Sequence, residues 1–310
     1  EIDENYALHY NGQFTGDKIR STKLENSFTN RSYYKISILP EYIYSLSNKE
    51  KLIFKIGASL DDTNRDNSEV SPIAEISWQK KDKQGRSEHL YLSYAQSTKV
   101  LGYGAIGGSP SGLFASDPNL VREISKNLEL GYALKQTDWS IKGALFYRWD
   151  NDLVDWTYDS NNTNARSAKN VDIETVGIEI IASYKWNKLE TISSYSYLHK
   201  EEDYKESTID GSFYALNFPE HRATLGLIWN PNHLLEIRID NEWRDQQTNP
   251  LREGPSQSVN SYIAASYYPA QLDDLEIFVA FEKPWDEEFQ DIPGTPGRGD
   301  QFSLGATYRW

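Results

Sequence analysis

Along most of this chain apolar and polar side chains alternate with a period of two, and that alternation limits what it can fold into. Near the C-terminus Phe302, Leu304, Ala306, Tyr308 and Trp310 alternate with Ser303, Gly305, Thr307 and Arg309. The run before it sets Leu275, Ile277, Val279 and Phe281 against Glu276, Phe278, Ala280 and Glu282. Leu235, Ile237, Ile239 and Trp243 oppose Glu236, Arg238, Asp240, Glu242 and Arg244. In a β-strand the two sets face opposite sides of the sheet. A face charged at every position needs water. A soluble sandwich would expose it; a membrane barrel would turn it to a wet lumen and put the apolar set in lipid. Period alone leaves both open.

Loop lengths and tryptophans separate them. The pattern predicts about 14 strands, near 5–15, 32–47, 51–62, 70–82, 87–99, 122–137, 139–157, 171–187, 189–203, 221–230, 234–248, 258–269, 274–286 and 301–310. Their connections alternate in length. Ser47–Glu50, Lys83–Arg86, Gln136–Asp138, Asn187–Lys188, Pro231–His233 and Ala270–Asp273 are short. Long polar stretches lie near 16–31, 62–69, 100–121, 158–170, 204–220, 249–257 and 287–300. Short turns at one end and long loops at the other are the outer-membrane pattern, and a sandwich has no reason to sort its loops so. Trp78, Trp139, Trp186, Trp229 and Trp310 sit beside short turns or the C-terminus, whereas Trp149, Trp156, Trp243 and Trp285 sit toward long loops. Two aromatic belts follow, one for each membrane interface. The expected fold is all-β, an antiparallel transmembrane β-barrel.

Composition closes other routes. Mean hydropathy is −0.68, and no run of about 18 apolar residues marks a transmembrane helix. The net charge of −14 argues against a nucleic-acid partner, which needs a basic face. Without cysteine there is no disulfide, thiolate metal site or Cys nucleophile. Without methionine, even at the start, the chain reads as a processed form or a fragment, and no signal peptide is visible at Glu1. No catalytic constellation is evident, so no enzyme and no cofactor is expected. His9, His89, His199, His221 and His233 are scattered and make no metal pair. Gly107-Gly108-Ser109-Pro110-Ser111-Gly112 only superficially suggests a nucleophile elbow, because Pro110 holds the central position. Asp62-Thr63-Asn64-Arg65-Asp66 starts like a calcium loop, but Asn67 and Ile73 stand where Gly and Glu are required. Glu201, Glu202 and Asp203, with Asp286, Glu287 and Glu288, form acidic groups that could bridge lipopolysaccharide phosphates through divalent cations.

Several motifs in order resemble a known family. His89–Ala95 leads into a Gly-rich loop and returns through Asp117-Pro118-Asn119-Leu120-Val121-Arg122-Glu123-Ile124-Ser125-Lys126-Asn127-Leu128-Glu129-Leu130-Gly131. This resembles the strand, large loop and "NP-D-L-x-P-E-T-S-x-x-x-E-x-G" return of TonB-dependent receptor barrels. Glu123, Ser125, Glu129 and Gly131 match, while Asp117, Arg122 and Ile124 depart. Val176-Gly177-Ile178-Glu179 is similar to the family's "G-x-E" strand, and Phe218-Pro219-Glu220-His221-Arg222 to its "Y-P-x-H" strand start. Phe281–Phe289 resembles "v-E-N-L-F-D-x-x-Y", with Lys283-Pro284 in place of Asn-Leu. Pro284 cannot donate to a ladder, so a bulge or strand end is expected there. Pro296-Gly297-Arg298-Gly299 and the last strand resemble the closing hairpin, most nearly that of the vitamin B12 receptor branch. The resemblance covers residues 87–310.

The resemblance implies a 22-stranded barrel, of which this chain supplies part, with residues 1–310 forming one outer-membrane barrel domain. The family's plug domain and TonB box are absent from this chain. It is a fragment of such a receptor or a smaller barrel closing by itself. The implied function is import of a metal chelate, such as a siderophore or cobalamin, with this chain supplying wall and extracellular loops. Implied partners are that chelate, outer-membrane lipid and lipopolysaccharide, and TonB–ExbB–ExbD acting through a plug. The alternative is a passive 14-stranded porin or structural barrel. The ligand-binding candidates lie on two long loops: Tyr103, Ile106, Leu113 and Phe114 as exposed apolar residues on one, Phe213 and Tyr214 on the other; the alternative is that these side chains pack loop against loop.

Overall fold

A computed structural model describes residues 5–22, 24, 29–108, 114–161, 166–205, 208–272, 274–285, 288–297 and 299–309. Leu113, Trp310, Arg298, Asp286, Glu287 and the Ser109-Pro110-Ser111-Gly112 segment lie outside the described residues. Fourteen long strands, β1 (Tyr6–Lys18), β2 (Asn30–Ser47), β3 (Glu50–Thr63), β4 (Glu69–Lys81), β5 (Ser87–Lys99), β7 (Glu123–Lys135), β8 (Trp139–Tyr158), β9 (Arg166–Trp186), β10 (Leu189–Asp203), β12 (Pro219–Asn232), β13 (Leu235–Gln246), β14 (Gln257–Tyr267), β15 (Leu275–Pro284) and β16 (Gln301–Tyr308), pair in chain order. Every pairing along this path is antiparallel. Two two-residue strands, β6 (Phe114–Ala115) and β11 (Gly211–Ser212), and the five-residue helix α1 (Tyr103–Gly107) lie in long loops. β15 ends at Pro284, as expected of a residue without an N–H. β1 and β16 are the sheet's two edges.

The register carries the alternation across the whole sheet. Ile237 faces Ala265 and Ile239 faces Ile263, which in turn faces Phe281. All lie on one face, continued on β16 by Phe302, Leu304 and Tyr308, which are exposed. At the other edge Tyr10, Phe14, Ile36 and Ile38 are likewise exposed. A water-soluble sheet would hide such residues; here a continuous apolar face is uncovered from edge to edge. Tyr6, Tyr44, Tyr184, Trp186, Trp229, Tyr267 and Tyr308 line its short-turn end and are exposed. Trp285 stands exposed toward the other end, and Tyr147 and Trp149 pack ring to ring there at 4.4 Å. Trp156 is the exception to the belts, since it packs into a loop cluster.

The opposite face is polar and internally paired. Glu242 receives Arg222 at 2.6 Å and also Arg244, whose Nη1 reaches Asp291 of the last long loop at 2.6 Å. Lys55 pairs with Glu75 at 3.1 Å, and Tyr91 donates to Glu129 at 2.5 Å. Aromatic rings on this face lie over glycines of the neighbouring strand. Tyr91 is directly opposite Gly131 and Phe146 directly opposite Gly177. A Cβ on Gly131 would sit 2.2 Å from Tyr91 Cζ, and one on Gly177 would sit 2.1 Å from Phe146 Cζ. The glycines of the Glu-x-Gly and Gly-x-Glu motifs are therefore seats for rings. Gly177→Val is expected to cost about 1–3 kcal/mol by overpacking, read as a lower urea midpoint in lipid vesicles. Gly143→Val, where a Cβ meets nothing closer than 3.5 Å, is the control and should shift it little.

Candidate ligand-binding site at the long-loop end

β8 and β9, of 20 and 21 residues, are the longest strands and carry the site. Their register shifts between Asp150 and Leu153, where Asp152 takes a φ of 56°. Asn170 donates to Asp152 O at 2.6 Å and accepts Val121 N–H at 3.1 Å, fixing the bulge to the neighbouring loop. Above it the hairpin gains short strands on both sides: β6 runs parallel to β9 at Arg166–Ser167, and β11 antiparallel to β8 at Thr157–Tyr158.

Each hairpin face buries a different loop. On one, Leu101, Ala105, Ile106 and Leu120 pack on Ala168, with Val154 and Trp156. On the other, Val171 and Ile173 meet Tyr204 and Ala215, with Leu153, Ile209 and Leu216. Asp155, fully buried, organises the second face: it accepts Tyr204 Oη at 2.7 Å, Ala215 N at 3.0 Å and Tyr214 N at 3.3 Å. A buried carboxylate is tolerated because several donors replace its water. Burial first, and Asp155 second, push the Tyr204 hydroxyl's pKa up, so it remains a donor.

The first loop is latched to the long-loop ends of β1 and β2. Tyr103 donates to the Asp17 carboxylate, which also accepts Arg31 at 2.6 Å. Arg31 donates to Leu101 O at 3.2 Å and lies 5.3 Å from the Tyr103 ring centroid. Burial and the bond to Asp17 push the Tyr103 hydroxyl up to about 12. Arg65 holds Pro118 O and Leu120 O, each at 3.0 Å. Where the loop rejoins the sheet, Arg122 forms a buried ion pair with Asp61 of β3, and Thr98 donates to Asp61 at 2.8 Å.

Both candidate loops converge on one residue, Arg166. Its guanidinium stands 3.9 Å from the Phe213 ring centroid and 5.2 Å from that of Phe114. Its Nη1 donates to Tyr214 Oη at 3.4 Å. Phe114 meets Trp156 edge-on at 5.5 Å. Phe114 and Tyr214 are exposed, 47% and 46%. Exposure is corrected for Ile106, and for Phe213 the alternative of loop packing describes its place. Ile106, at 1%, and Phe213, at 8%, are buried in loop packing, because a long loop over a wet mouth must build its own small core to stay ordered. Tyr103 is half-buried in the latch. A second hub, Arg252, ties three loops by donating to Asn217 Oδ1, to Gln247 O at 3.1 Å and to Gln290 O at 3.4 Å.

Sequence reading missed Arg166, Arg252 and the Asp61–Arg122 pair. Arg166 stands at the end of a Ser/Asn/Thr/Ala run, and its lone charge was the one available signal. Asp61 and Arg122 are 61 residues apart, so nothing local linked them.

Comparison with known proteins bears on the same architecture. Residues 4–281 match the family model "TonB dependent receptor-like, beta-barrel". No curated protein matches. The fold is similar to that of the FrpB iron transporter from Neisseria meningitidis (F3-3 variant), at 15% identity and a TM-score of 0.68, covering 99% of this chain and 53% of that one. The siderophore receptor PirA from Pseudomonas aeruginosa gives 14% identity and 0.68, covering 98% and 53%. The copper transporter OprC gives 13% identity and 0.61, covering 90% and 48%. The chain thus spans about half the length of these structures, and the likeness is one of fold. The family match does not favour the porin alternative. An uncovered apolar face, a paired polar face, sorted loops and the family match together place this chain in the bacterial outer membrane, as a member of the TonB-dependent receptor β-barrel family.

Proposed function

We propose that this chain is the wall and extracellular mouth of an importer of a metal chelate, a siderophore in the first instance. The observation that carries this reading is the convergence of two long loops on Arg166, which leaves Phe114 and Tyr214 uncovered at the mouth of a receptor-family barrel. Aromatic surface with few polar groups suits capture of a bulky chelate. Iron, copper and siderophore proteins among the structural neighbours support a metal cargo. Cobalamin is the second reading, supported by the closing-hairpin resemblance. Further strands close the sheet beyond β1 and β16, a plug gates the lumen, and TonB–ExbB–ExbD supplies energy. The uncovered apolar face with its aromatic ends suits outer-membrane lipid and lipopolysaccharide as surroundings.

Cells expressing the full-length receptor should accumulate a radiolabelled iron chelate saturably, and deletion of TonB should abolish uptake while leaving surface binding intact. Phe114→Ala with Tyr214→Ala should weaken binding about tenfold, as expected for loss of two contact rings. Uptake that persists without TonB, unsaturated and proportional to concentration, would return the porin reading.

A further inference from the structure

We propose that the outer wall of this sheet holds one phospholipid of the inner leaflet, a zwitterionic phosphatidylethanolamine, with a tail over Gly143 and its headgroup at Arg86 and Glu88. The cargo plays no part in this site. Gly131 and Gly177 seat rings on the polar face, but Gly143 lies on the apolar face and seats nothing. A Cβ added there would meet no atom closer than 3.5 Å. Tyr132 of β7 stands directly opposite it on one side and Ile180 of β9 on the other. Leu90 extends that row beyond Tyr132, and Leu130 and Leu145 pair in the next row toward the long loops. These residues enclose an apolar groove of about 390 Å³ with Gly143 in its floor. Glycine inside a strand weakens it, and often marks a place where another molecule comes close. On a face turned to hydrocarbon, that molecule is an acyl chain.

Charge and depth select the lipid. Two residues from Gly143 toward the short turns, Ile141 pairs with Leu134 and Leu134 with Glu88. The row continues through Lys80 to Glu50. Lys80 pairs with Glu50 at 3.2 Å, and Glu88 takes Arg86 at 2.9 Å and accepts Tyr132 Oη at 3.2 Å. Short turns mark the periplasmic end, so this row meets inner-leaflet headgroups. Two residues of strand rise about 7 Å, so a headgroup on the row starts its tail in the groove. Tyr132 belongs to both parts, since its ring walls the groove and its hydroxyl reaches the carboxylate. Glu50, Lys80, Arg86 and Glu88 sum to zero charge, so an anionic headgroup gains no net attraction. A zwitterion gains at both ends. Arg86, its side chain 48% exposed, has further donors for a phosphate. Each Glu88 oxygen takes one donor and keeps a lone pair for a primary ammonium. A trimethylated ammonium has no hydrogen to donate. A second groove, also about 390 Å³, lies where Ala74 sits between Ile56 and Tyr94. Ala74 is six residues from Lys80, about 20 Å along a tilted strand, which places it near the middle of the roughly 30 Å hydrocarbon core. No headgroup reaches that groove.

The test titrates the full-length receptor in detergent with dioleoyl phosphatidylethanolamine, phosphatidylglycerol or phosphatidylcholine, and counts bound lipids by native mass spectrometry. The first phosphatidylethanolamine should bind about tenfold tighter than either of the others, through its charge-assisted bonds. Gly143→Leu fills the groove from within and should weaken that first lipid about tenfold, because lost contact with about two methylenes suffices. Ala74→Leu fills the other groove and should change the same affinity by no more than about twofold. Glu88→Gln should bring phosphatidylethanolamine down to the level of phosphatidylcholine and leave phosphatidylcholine unchanged. Heat-modifiable mobility checks that each variant holds a folded barrel. Equal binding of the three lipids by the wild type, or preference for phosphatidylglycerol, overturns the proposal. So do Gly143→Leu and Ala74→Leu variants that lose lipid alike, because the contact is then a general coat of the wall. A Glu88→Gln variant that keeps the full preference overturns the headgroup assignment.

Discussion

Replacing Asp61 with alanine is expected to cost about 3–5 kcal/mol, because it strands the Arg122 guanidinium away from water. The side chains of Arg122 and Asp61 are 7% and 1% exposed, so solvent cannot replace the lost partner. Thr98, which donates to the same carboxylate at 2.8 Å, loses its acceptor as well. The comparison variant is Asp61→Leu with Arg122→Met. Removing both charges abolishes the desolvation cost along with the attraction, and stability should return close to the parent's or exceed it. Urea unfolding in lipid vesicles measures both. A single substitution costing less than about 1 kcal/mol, the range of an exposed pair, would mean that water reaches Arg122. Because the pair anchors the point where the 100–122 loop re-enters the sheet, Asp61→Ala should also weaken chelate binding more than its distance from Arg166 suggests.

The second large effect contrasts two adjacent residues of β14. Ile263 lies on the apolar face, 48% exposed and paired with Ile239. Ile263→Arg should destabilise by about 2–4 kcal/mol, the cost of a cation at mid-depth in lipid. Ala264 points to the other face, directly opposite Arg238. Ala264→Glu should change stability by less than about 1 kcal/mol, and in the favourable direction, since it adds an opposite charge across the strand pair. Unfolding in the same vesicles reads both. Equal tolerance of the two, or a reversed order, would mean that the faces are assigned the wrong way round.

The ring-on-glycine pairs explain why the two family motifs contain glycine at all. A Glu-x-Gly or Gly-x-Glu triplet puts a carboxylate and a vacant position on one face, two residues apart. In β7 the vacancy takes the Tyr91 ring and Glu129 accepts its hydroxyl, so one triplet fills both requirements of a single tyrosine. The aromatic partner comes from a neighbouring strand, and no motif within one strand contains it.

Which residues are strand, which way each points and which connections are long could be read directly from this chain. Alternation is a local property: a residue's face follows from its parity, and a run such as Leu235–Arg244 declares both faces without knowing its neighbours. Turn composition and tryptophan position are equally local, and with them the membrane, the strand number and the sidedness follow. Only the tertiary structure decided what the long loops do. Tyr103 meets Asp17 from 86 residues away, and Arg166 meets Tyr214 from 48. The apolar residues of these loops look alike in the sequence, yet packing against the β8–β9 hairpin buries Ile106 and Phe213 and leaves Phe114 and Tyr214 uncovered. Loops have no period to set their faces, so their contacts are chosen by whichever apolar and charged partners the folded sheet brings within reach.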